Sequence, residues 1–374
     1  MFKRIMAILL VAVAAVAMTA CVPKVDSEGQ KIVLITDKGD IDDKSFNQGS
    51  YDGVKAFGDK YKVEYAYLKP REATNEAYIA AIEQAIANGA TIIVTPGFLF
   101  EGPINVVQTM YPNVKFIILD GSPANAEGGT LEKNVYSVFY AEEQTGFLAG
   151  YAAVKEGFRK LGFMGGMAVP AVQRFGHGFV QGAAYAAKEE GLAEGAITVD
   201  YLYTGDFKAS PEVQAAAATL YQNGVEIIFA CGGAVGQSVM AAAKAAGGKW
   251  VIGVDVDQSG DSETVITSST KELAVSVQQA LEAIFGVSKE KLTWEDDFAG
   301  KSVILDVTRD GVGLPMETSR FTKFKKSQYN AIYNKIVKGD VKVSTTIGEF
   351  GDDGNAAKLF ETKEVKVRVV PFAG

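Results

Sequence analysis

From residue 31 onward, short runs of β-branched and aliphatic residues alternate with alanine-rich segments. These runs are apolar at nearly every position rather than at every second one, which is typical of strands buried on both faces of a parallel sheet. Strands that alternate with helical segments form βαβ units, so the chain is predicted to be a doubly wound α/β protein. Six runs carry this prediction: 31–36, 91–95, 115–119, 162–165, 226–230 and 250–254.

Helix-boundary signals between the runs support the same interpretation. Ser210 is followed by Pro211 and Glu212, which predicts an N-cap, a first-turn proline and an acidic residue near the positive end of a helix. Thr74 is expected to open another helix, and Gly89 follows that helix's apolar stripe as its terminator.

An internal repeat indicates that the architecture occurs twice. Three pairs of similar segments recur in the same order at offsets of 129 to 135 residues: 46–53 with 175–182, 87–97 with 222–232, and 115–120 with 249–255. The constant order and nearly constant offset predict two lobes with one common topology. Chance similarity between glycine- and alanine-rich segments is the alternative.

The N-terminus has the pattern of an export signal. Lys3 and Arg4 precede an apolar run over 5–18, and Thr19-Ala20 lead to Cys21. The run is shorter than the ~20 residues that a membrane-spanning helix needs. We therefore expect residues 1–20 to be a lipoprotein signal peptide, Cys21 to carry the lipid, and residues 21–30 to form a tether. An ordinary secretory peptide with a chance cysteine is the alternative.

Charge and residue usage exclude several classes of function. The 37 Lys+Arg against 45 Asp+Glu give a net charge of −8, which disfavours nucleic-acid binding. One histidine in the chain disfavours metal sites and histidine-based acid–base catalysis. The acidic loop after residue 36 lacks the glycine and glutamate of an EF-hand, and the glycines at 232–236 do not fit the dinucleotide fingerprint. We expect no catalytic residue, no metal and no cofactor.

Polar residues follow the predicted strands, at the edge where doubly wound sheets bind ligands. Four aspartates within 37–43 favour recognition of hydroxyls or amines, although helix capping is the commoner role of such residues. Asp255 can accept hydrogen bonds from two adjacent ribose hydroxyls, and Lys271 can donate to the same sugar. A surface position is the alternative for Lys271. Gly232 and Gly233 predict a tight turn that exposes backbone amides to the cleft.

Phe46 and Phe175 occupy equivalent places in the repeat, and each is predicted just before a helix. Closure of two lobes would bring one aromatic face from each onto a flat ligand such as a nucleobase. Stacking of a base on an aromatic side chain contributes about 1–3 kcal/mol. Both rings could instead be core residues, which is the usual role of phenylalanine.

These motifs together resemble the basic membrane protein family, the purine-nucleoside-binding lipoproteins of ABC transporters. The segments that carry the resemblance are 36–48, 147–153, 174–175, 251–258 and 267–271, within a match over roughly 31–320. The resemblance implies a type I periplasmic-binding-protein fold, in which two doubly wound parallel-sheet lobes are joined by a three-stranded hinge. We expect an N-terminal lobe of 31–140 plus about 270–300, and a C-terminal lobe of 141–269 plus about 301–374.

The resemblance also implies roles for individual residues. By role, they are Phe46 and Phe175 as an aromatic clamp, Asn47 and Asp120 as readers of the base edge with Asp37 in support, Asp255 and Lys271 as ribose contacts, and Gly232-Gly233 as a source of backbone contacts. Lys38 and Asp40-Ile41 depart from the smaller, glycine-rich run usual at that place. Whether Asp257 shares the ribose role of Asp255 stays open.

The expected function is that of a non-catalytic receptor. It would be a monomer in the bacterial cell envelope, held to the membrane by its lipid alone. It would close over an adenosine-, guanosine- or inosine-type nucleoside and present it to an ABC permease and ATPase. The alternatives are a receptor of the same fold for a sugar or autoinducer-like ligand, a nucleoside hydrolase, and an adhesin or other envelope-interaction role.

Overall fold

The computed structural model describes residues 23–345 and 362–372. The signal peptide expected at 1–20 and the lipidation site Cys21 lie outside the described residues. Within these residues no helix is both long and apolar enough to cross a membrane.

Thirteen strands and nine α-helices form the described part of the chain. The strands are β1 (Lys31–Ile35), β2 (Glu64–Leu68), β3 (Ile92–Pro96), β4 (Lys115–Leu119), β5 (Val135–Tyr140), β6 (Lys160–Gly165), β7 (Ile197–Tyr203), β8 (Ile227–Cys231), β9 (Trp250–Asp255), β10 (Val265–Lys271), β11 (Lys301–Leu305), β12 (Val312–Gly313) and β13 (Val365–Val369). The helices are α1 (Phe46–Tyr61), α2 (Asn75–Ala87), α3 (Glu101–Met110), α4 (Glu142–Glu156), α5 (Pro170–Glu189), α6 (Pro211–Gln222), α7 (Val235–Ala246), α8 (Leu273–Ile284) and α9 (Lys326–Val337).

The strands form two sheets with the same winding. The first sheet has the order β2-β1-β3-β4-β5-β11, and the second has the order β13-β7-β6-β8-β9-β10-β12. Every pairing is parallel except that of β10 with β12. The repeated segments of the sequence occupy matching elements, with β3 and β4 corresponding to β8 and β9. The predicted fold class, two doubly wound parallel-sheet lobes, is confirmed.

The six predicted strands are all present, and the predicted helix starts have the expected caps. The Ser210 hydroxyl accepts a hydrogen bond from the Val213 N–H at 3.2 Å. The Thr74 hydroxyl accepts one from the Ala77 N–H, also at 3.2 Å. Each bond satisfies an amide that the first helical turn leaves unpaired.

The chain crosses between the lobes three times, after Tyr140, after Lys271 and after Leu305. Helix α4 packs against α5 in the second lobe, whereas α8 returns to pack against α1 in the first. The third crossing differs from the expected boundary near residue 300, because strand β11 still pairs with β5 of the first sheet. Residues 301–305 therefore belong to the N-terminal lobe, which corrects the expected domain limits.

The segment expected to be a tether is partly anchored. Val25 is buried and packs into the hydrophobic core, whereas Asp26, Glu28 and Gly29 are exposed.

Candidate functional site

All nine predicted ligand-binding residues line one cavity between the two lobes. The space between its walls, open solvent at the mouth included, is about 640 Å³. The lining residues are Asp37, Asp43, Phe46, Asn47, Gly97, Phe98 and Asp120 from the first lobe, and Val169, Pro170, Ala171, Val172, Phe175, Phe207, Cys231, Gly232, Gly233, Val254, Asp255 and Lys271 from the second lobe and hinge.

Two aspartates face the cavity from equivalent positions of the repeat. Asp120 directly follows β4 and Asp255 ends β9, and both have left-handed backbones, with φ of 55° and 67°. This conformation is uncommon for residues other than glycine and is found at functional sites where the surrounding structure enforces it. The same backbone geometry therefore places a carboxylate at the same point of each lobe.

Asn47 organises the acidic loop after β1. Its side-chain Nδ2 donates to Asp37 Oδ1 at 2.9 Å and to Asp43 Oδ2 at 3.0 Å, and its Oδ1 accepts from the Asp37 N–H at 3.2 Å. Asp43 also accepts hydrogen bonds from the Ser45 and Gln48 N–H groups. The amide of Asn47 thus joins two carboxylates that would otherwise repel each other.

Burial raises the pKa of Asp37 to about 6, against the lowering effect of its hydrogen bonds from Asn47 and Gly39 and with a further increase from Asp43. A single hydroxyl or amine donor from a ligand would stabilise the ionised form of this carboxylate.

The two phenylalanines meet at the cavity from opposite lobes. Phe46 is the first residue of α1 rather than the residue before that helix. Phe175 lies inside α5 rather than before it, because Pro170 starts that helix. This corrects the predicted position. Phe175 also packs edge-on against Phe229, with ring centroids 5.9 Å apart, so it is both a core ring and a cavity ring.

Lys271 lies next to both of these rings. Its ammonium is 4.9 Å from the Phe46 centroid and 5.2 Å from the Phe175 centroid, distances typical of cation–π contacts. Burial acts to lower the pKa of Lys271, but three neighbouring carboxylates outweigh burial and raise it. The lysine is therefore a cation, despite being almost completely buried.

The carboxylates around Lys271 come from both lobes. Its Nζ is 2.5 Å from Asp120 Oδ2, 2.8 Å from Glu142 Oε1 and 3.8 Å from Asp255 Oδ1. Burial raises the pKa of Asp120 although Lys271 lies beside it, and the negative charge of Glu142 raises it further. Lys271 therefore links the first lobe, through Asp120, to the second.

Glu142 is a site residue that the sequence did not reveal. It is fully buried at the start of α4, directly after the first crossing. Its Oε2 accepts from Arg174 Nε at 2.6 Å, while Oε1 contacts Lys271. Burial alone would raise the pKa of Glu142, but Lys271 and Arg174 outweigh burial and lower it. Because Arg174 precedes Phe175, Glu142 holds both the ammonium and the segment that carries an aromatic ring.

Contacts across the cleft show that the lobes are closed. Ser45 Oγ of the first lobe donates to Asp255 Oδ2 at 2.6 Å. Gln258 Nε2 of the second lobe donates to the Lys44 carbonyl at 2.7 Å. Also across the cleft, Lys38 Nζ of the first lobe lies 3.3 Å from Asp206 Oδ2 of the second.

The remaining predicted residues are two glycines in a turn and an aspartate outside the cavity. Gly232 and Gly233 form the expected turn between β8 and α7, with Gly233 at φ 54°. Asp257 does not line the cavity, and its Oδ2 accepts from Thr318 Oγ1 on the surface.

The sequence did not predict the apolar wall that Phe98 and Phe207 contribute to the cavity, because apolar residues outside the regular strands and helices carry no distinctive sequence signal. Among the described residues, no group of three or more His, Cys, Asp or Glu could hold a metal ion.

Comparison with known sequences identifies similar proteins over most of the chain. The family profile described as ABC transporter substrate-binding protein PnrA-like (Bmp) matches residues 30–346. The ABC transporter nucleoside-binding protein BmpA of Lactococcus lactis subsp. cremoris is 29% identical over 308 residues, which are 74% of this chain and 84% of that protein. Basic membrane protein A of Borreliella burgdorferi is 30% identical over 271 residues, 71% of this chain and 76% of that protein.

Solved structures with the same fold include two solute-binding proteins of ABC transporter systems. The protein from Aeropyrum pernix K1 has a TM-score of 0.69 at 21% identity, covering 85% of this chain and 94% of that one. The protein from Conexibacter woesei has a TM-score of 0.65 at 22% identity, covering 84% and 98%. At these identities the similarity establishes the fold alone.

Proposed function

The chain belongs to the PnrA-like family of ABC transporter substrate-binding proteins, and we propose that its ligand is a purine nucleoside, held between Phe46 and Phe175 as the lobes close. The observation that carries this proposal is the meeting of these two rings, one from each lobe, at a single buried ammonium in the cavity. Because both rings lie about 5 Å from the Lys271 ammonium, they are close enough to each other to stack on the two sides of a base. The nucleoside-binding relative from Lactococcus lactis supports the same ligand class.

The sugar is assigned to the second-lobe side of the cavity. Asp255 Oδ2 accepts a hydroxyl hydrogen from Ser45 at 2.6 Å, and ribose hydroxyls can donate to this carboxylate in the same way. Lys271 can donate to the ribose while its charge stays balanced by Asp120 and Glu142. The turn at Gly232-Gly233 adds backbone amides.

A ligand that contacts both lobes favours the closed state by its differential affinity for that state. In this proposal the closed, loaded protein is recognised by the permease of an ABC transporter, whose ATPase drives uptake. The protein itself needs no cofactor and acts as a monomer.

The membrane anchor, a lipid on Cys21, is proposed from the sequence of the N-terminus. Cleavage before Cys21, followed by acylation, would hold the receptor on the outer surface of a bacterial membrane without any spanning helix. Metabolic labelling with palmitate tests this step: wild type should carry the label and Cys21→Ser should not. A labelled Cys21→Ser protein would rule out Cys21 as the acylated residue.

The ligand is tested by native mass spectrometry of freshly purified protein and by calorimetry. A retained mass equal to that of a purine nucleoside is expected, together with saturable binding of guanosine that excess ribose does not displace. Displacement by ribose would instead indicate a sugar receptor. Release of free base from inosine well above one equivalent per protein would indicate a hydrolase.

A further inference from the structure

One hydrogen bond between the lobes lies outside the ligand cavity. Gln258 of the second lobe and Lys44 of the first are 214 residues apart in the chain, and Gln258 Nε2 donates to the Lys44 carbonyl at 2.7 Å. Neither residue lines the cavity. Gln258 is nonetheless almost completely buried, with 1% of its surface exposed. Its amide therefore contacts the other lobe without being part of the ligand site.

The second lobe holds the Gln258 side chain in one orientation. Its Oε1 accepts from the Val254 N–H at 3.1 Å, and its backbone N–H donates to Ser268 Oγ at 3.0 Å. Because Oε1 is paired with a backbone donor, Nε2 is the end of the amide that points toward the first lobe. The side chain also occupies space that a glycine leaves open, since a Cβ on Gly253 would lie 2.4 Å from Oε1. Contacts within the second lobe alone thus preorganise the donor.

The first lobe presents the acceptor from a short, defined loop. Lys44 precedes Ser45, the N-cap of α1, and has a left-handed backbone with φ 58°, which is uncommon for residues other than glycine. Ser45 also contacts the second lobe, but its partner Asp255 lines the cavity, so a ligand can compete for that carboxylate. The Lys44 carbonyl has no such competitor. Its bond with Gln258 can therefore form whichever ligand the cavity holds.

We propose that the Gln258–Lys44 hydrogen bond is an interlobe latch, which stabilises the closed state by the same amount for every ligand. Its two atoms belong to different lobes, so opening of the hinge separates them and the bond contributes to the closed state alone. A contact made in one of two states shifts their ratio by its full free energy. The inference rests on the proposed function in using nucleosides as probes. The cavity selects the ligand, and Gln258 has a positioning role that determines how long the ligand is held.

A second contact across the cleft provides a contrast. Lys38 and Asp206 also join the lobes, but their side chains are 29% and 39% exposed. Exposed ion pairs contribute little because water and salt screen them. Loss of a buried hydrogen bond costs more, since the remaining partner loses its compensation. We therefore expect the latch to contribute more to closure than this ion pair.

The first test compares the full chain with its Gln258→Ala variant by calorimetry and stopped-flow kinetics. Guanosine, inosine and adenosine should all bind at least fivefold more weakly, by the same factor and through faster dissociation. Gln258→Glu should weaken binding at least as much, because a carboxylate oxygen would face the Lys44 carbonyl. Gln237→Ala, which alters an exposed glutamine of α7 in the same lobe, is the matched control and should bind like wild type. A folded Gln258→Ala protein with wild-type affinity, or with ratios among the three nucleosides changed more than twofold, would overturn the inference.

The second test measures closure by single-molecule FRET. Dyes are placed at Glu72 and Lys208, exposed residues that follow β2 and β7 at the cleft side of their lobes. Both Gln258 variants should lower the ratio of closed to open molecules at least threefold, with and without guanosine. Equal ratios in wild type and variants would contradict the latch. If wild type binds no nucleoside, the proposed function fails, and the ratio without ligand still decides the latch. If Gln258→Ala does not fold, the similarly sized Gln258→Glu decides.

Discussion

Replacing Glu142 with glutamine keeps the size of the side chain but removes a carboxylate that contacts both Lys271 and Arg174. The two contacts are 2.8 Å and 2.6 Å long, and Glu142 has no exposed surface. Removing one partner of a buried ion pair costs about 3–5 kcal/mol, since the other charge loses its compensation. Lys271 keeps Asp120 at 2.5 Å, so the lower end of the range, about 3 kcal/mol, applies.

This loss has two measurable consequences. For lobes of this size, about 3 kcal/mol lowers the melting temperature by roughly 6–12 °C. Displacement of Lys271 would also remove its proposed charged hydrogen bond to the ribose, a class of interaction worth about 1.5–3 kcal/mol. Inosine should therefore bind at least tenfold more weakly to Glu142→Gln, whereas hypoxanthine, which has no sugar, should change less than threefold.

The neighbouring Glu143 provides a matched control. It is also buried, but it forms no ion pair within the part of the chain that the structure describes, and burial raises its pKa to about 7. Glu143→Gln should therefore leave inosine affinity near wild type and should not lower stability. Glu142→Gln that melts and binds like wild type would refute the role of Glu142. Equal losses for inosine and hypoxanthine would show that its effect is not exerted through the sugar.

Two further predictions concern the rings and the pH dependence of folding. Phe175→Leu should weaken guanosine binding at least about fivefold, because stacking contributes about 1–3 kcal/mol. Leucine preserves more of the packing against Phe229 than alanine would, and calorimetry showing unchanged affinity would exclude the stacking role. Ligand-free protein should become less stable as pH rises from about 5 to 8, because burial raises the pKa values of Asp37 and Glu143 to about 6 and 7 and the folded state then binds more protons than the unfolded one. The groups that act on Asp37 are Asn47, Asp43, Asp255 and Tyr78, and those that act on Glu143 are Glu142, Arg174 and Asp306. Thermal melts at pH 5.5 and 7.5 test this, and a higher melting temperature at pH 7.5 would contradict it.

The sequence predicts those parts of the fold whose signals are local. The six predicted strands are buried on both faces, so their residues are apolar without interruption. Strand β10 was missed because its Thr267-Ser-Ser-Thr270 run has the composition of a loop. Its hydroxyls are nevertheless paired, for example Ser269 Oγ with Thr145 Oγ1 at 2.9 Å. These partners lie far away in sequence, and local composition cannot reveal them.

In the candidate site too, some residues have a sequence signal and others depend on partners that are distant in the sequence. The repeat aligned Phe46 with Phe175, and the order of the strands placed Asp37, Asp120 and Asp255 at one edge. Glu142 carries no such signal, because an acidic residue at a helix start is ordinarily explained by the helix dipole. Its role depends on Lys271, which the second crossing of the chain brings alongside it.

The three crossings of the chain also determine the order in which the protein can be completed. Strand β11 is the edge of the first sheet, yet the chain builds most of the second lobe between Tyr140 and Lys301 before reaching it. During synthesis the first lobe therefore stays unfinished, with one side of β5 unpaired, until residues 301–305 have been made. Pairing between distant segments is slow to form, and an exposed strand edge invites association with other chains. The connectivity that forms the hinge therefore also leaves the newly made chain prone to association through the edge of β5 until β11 pairs with it.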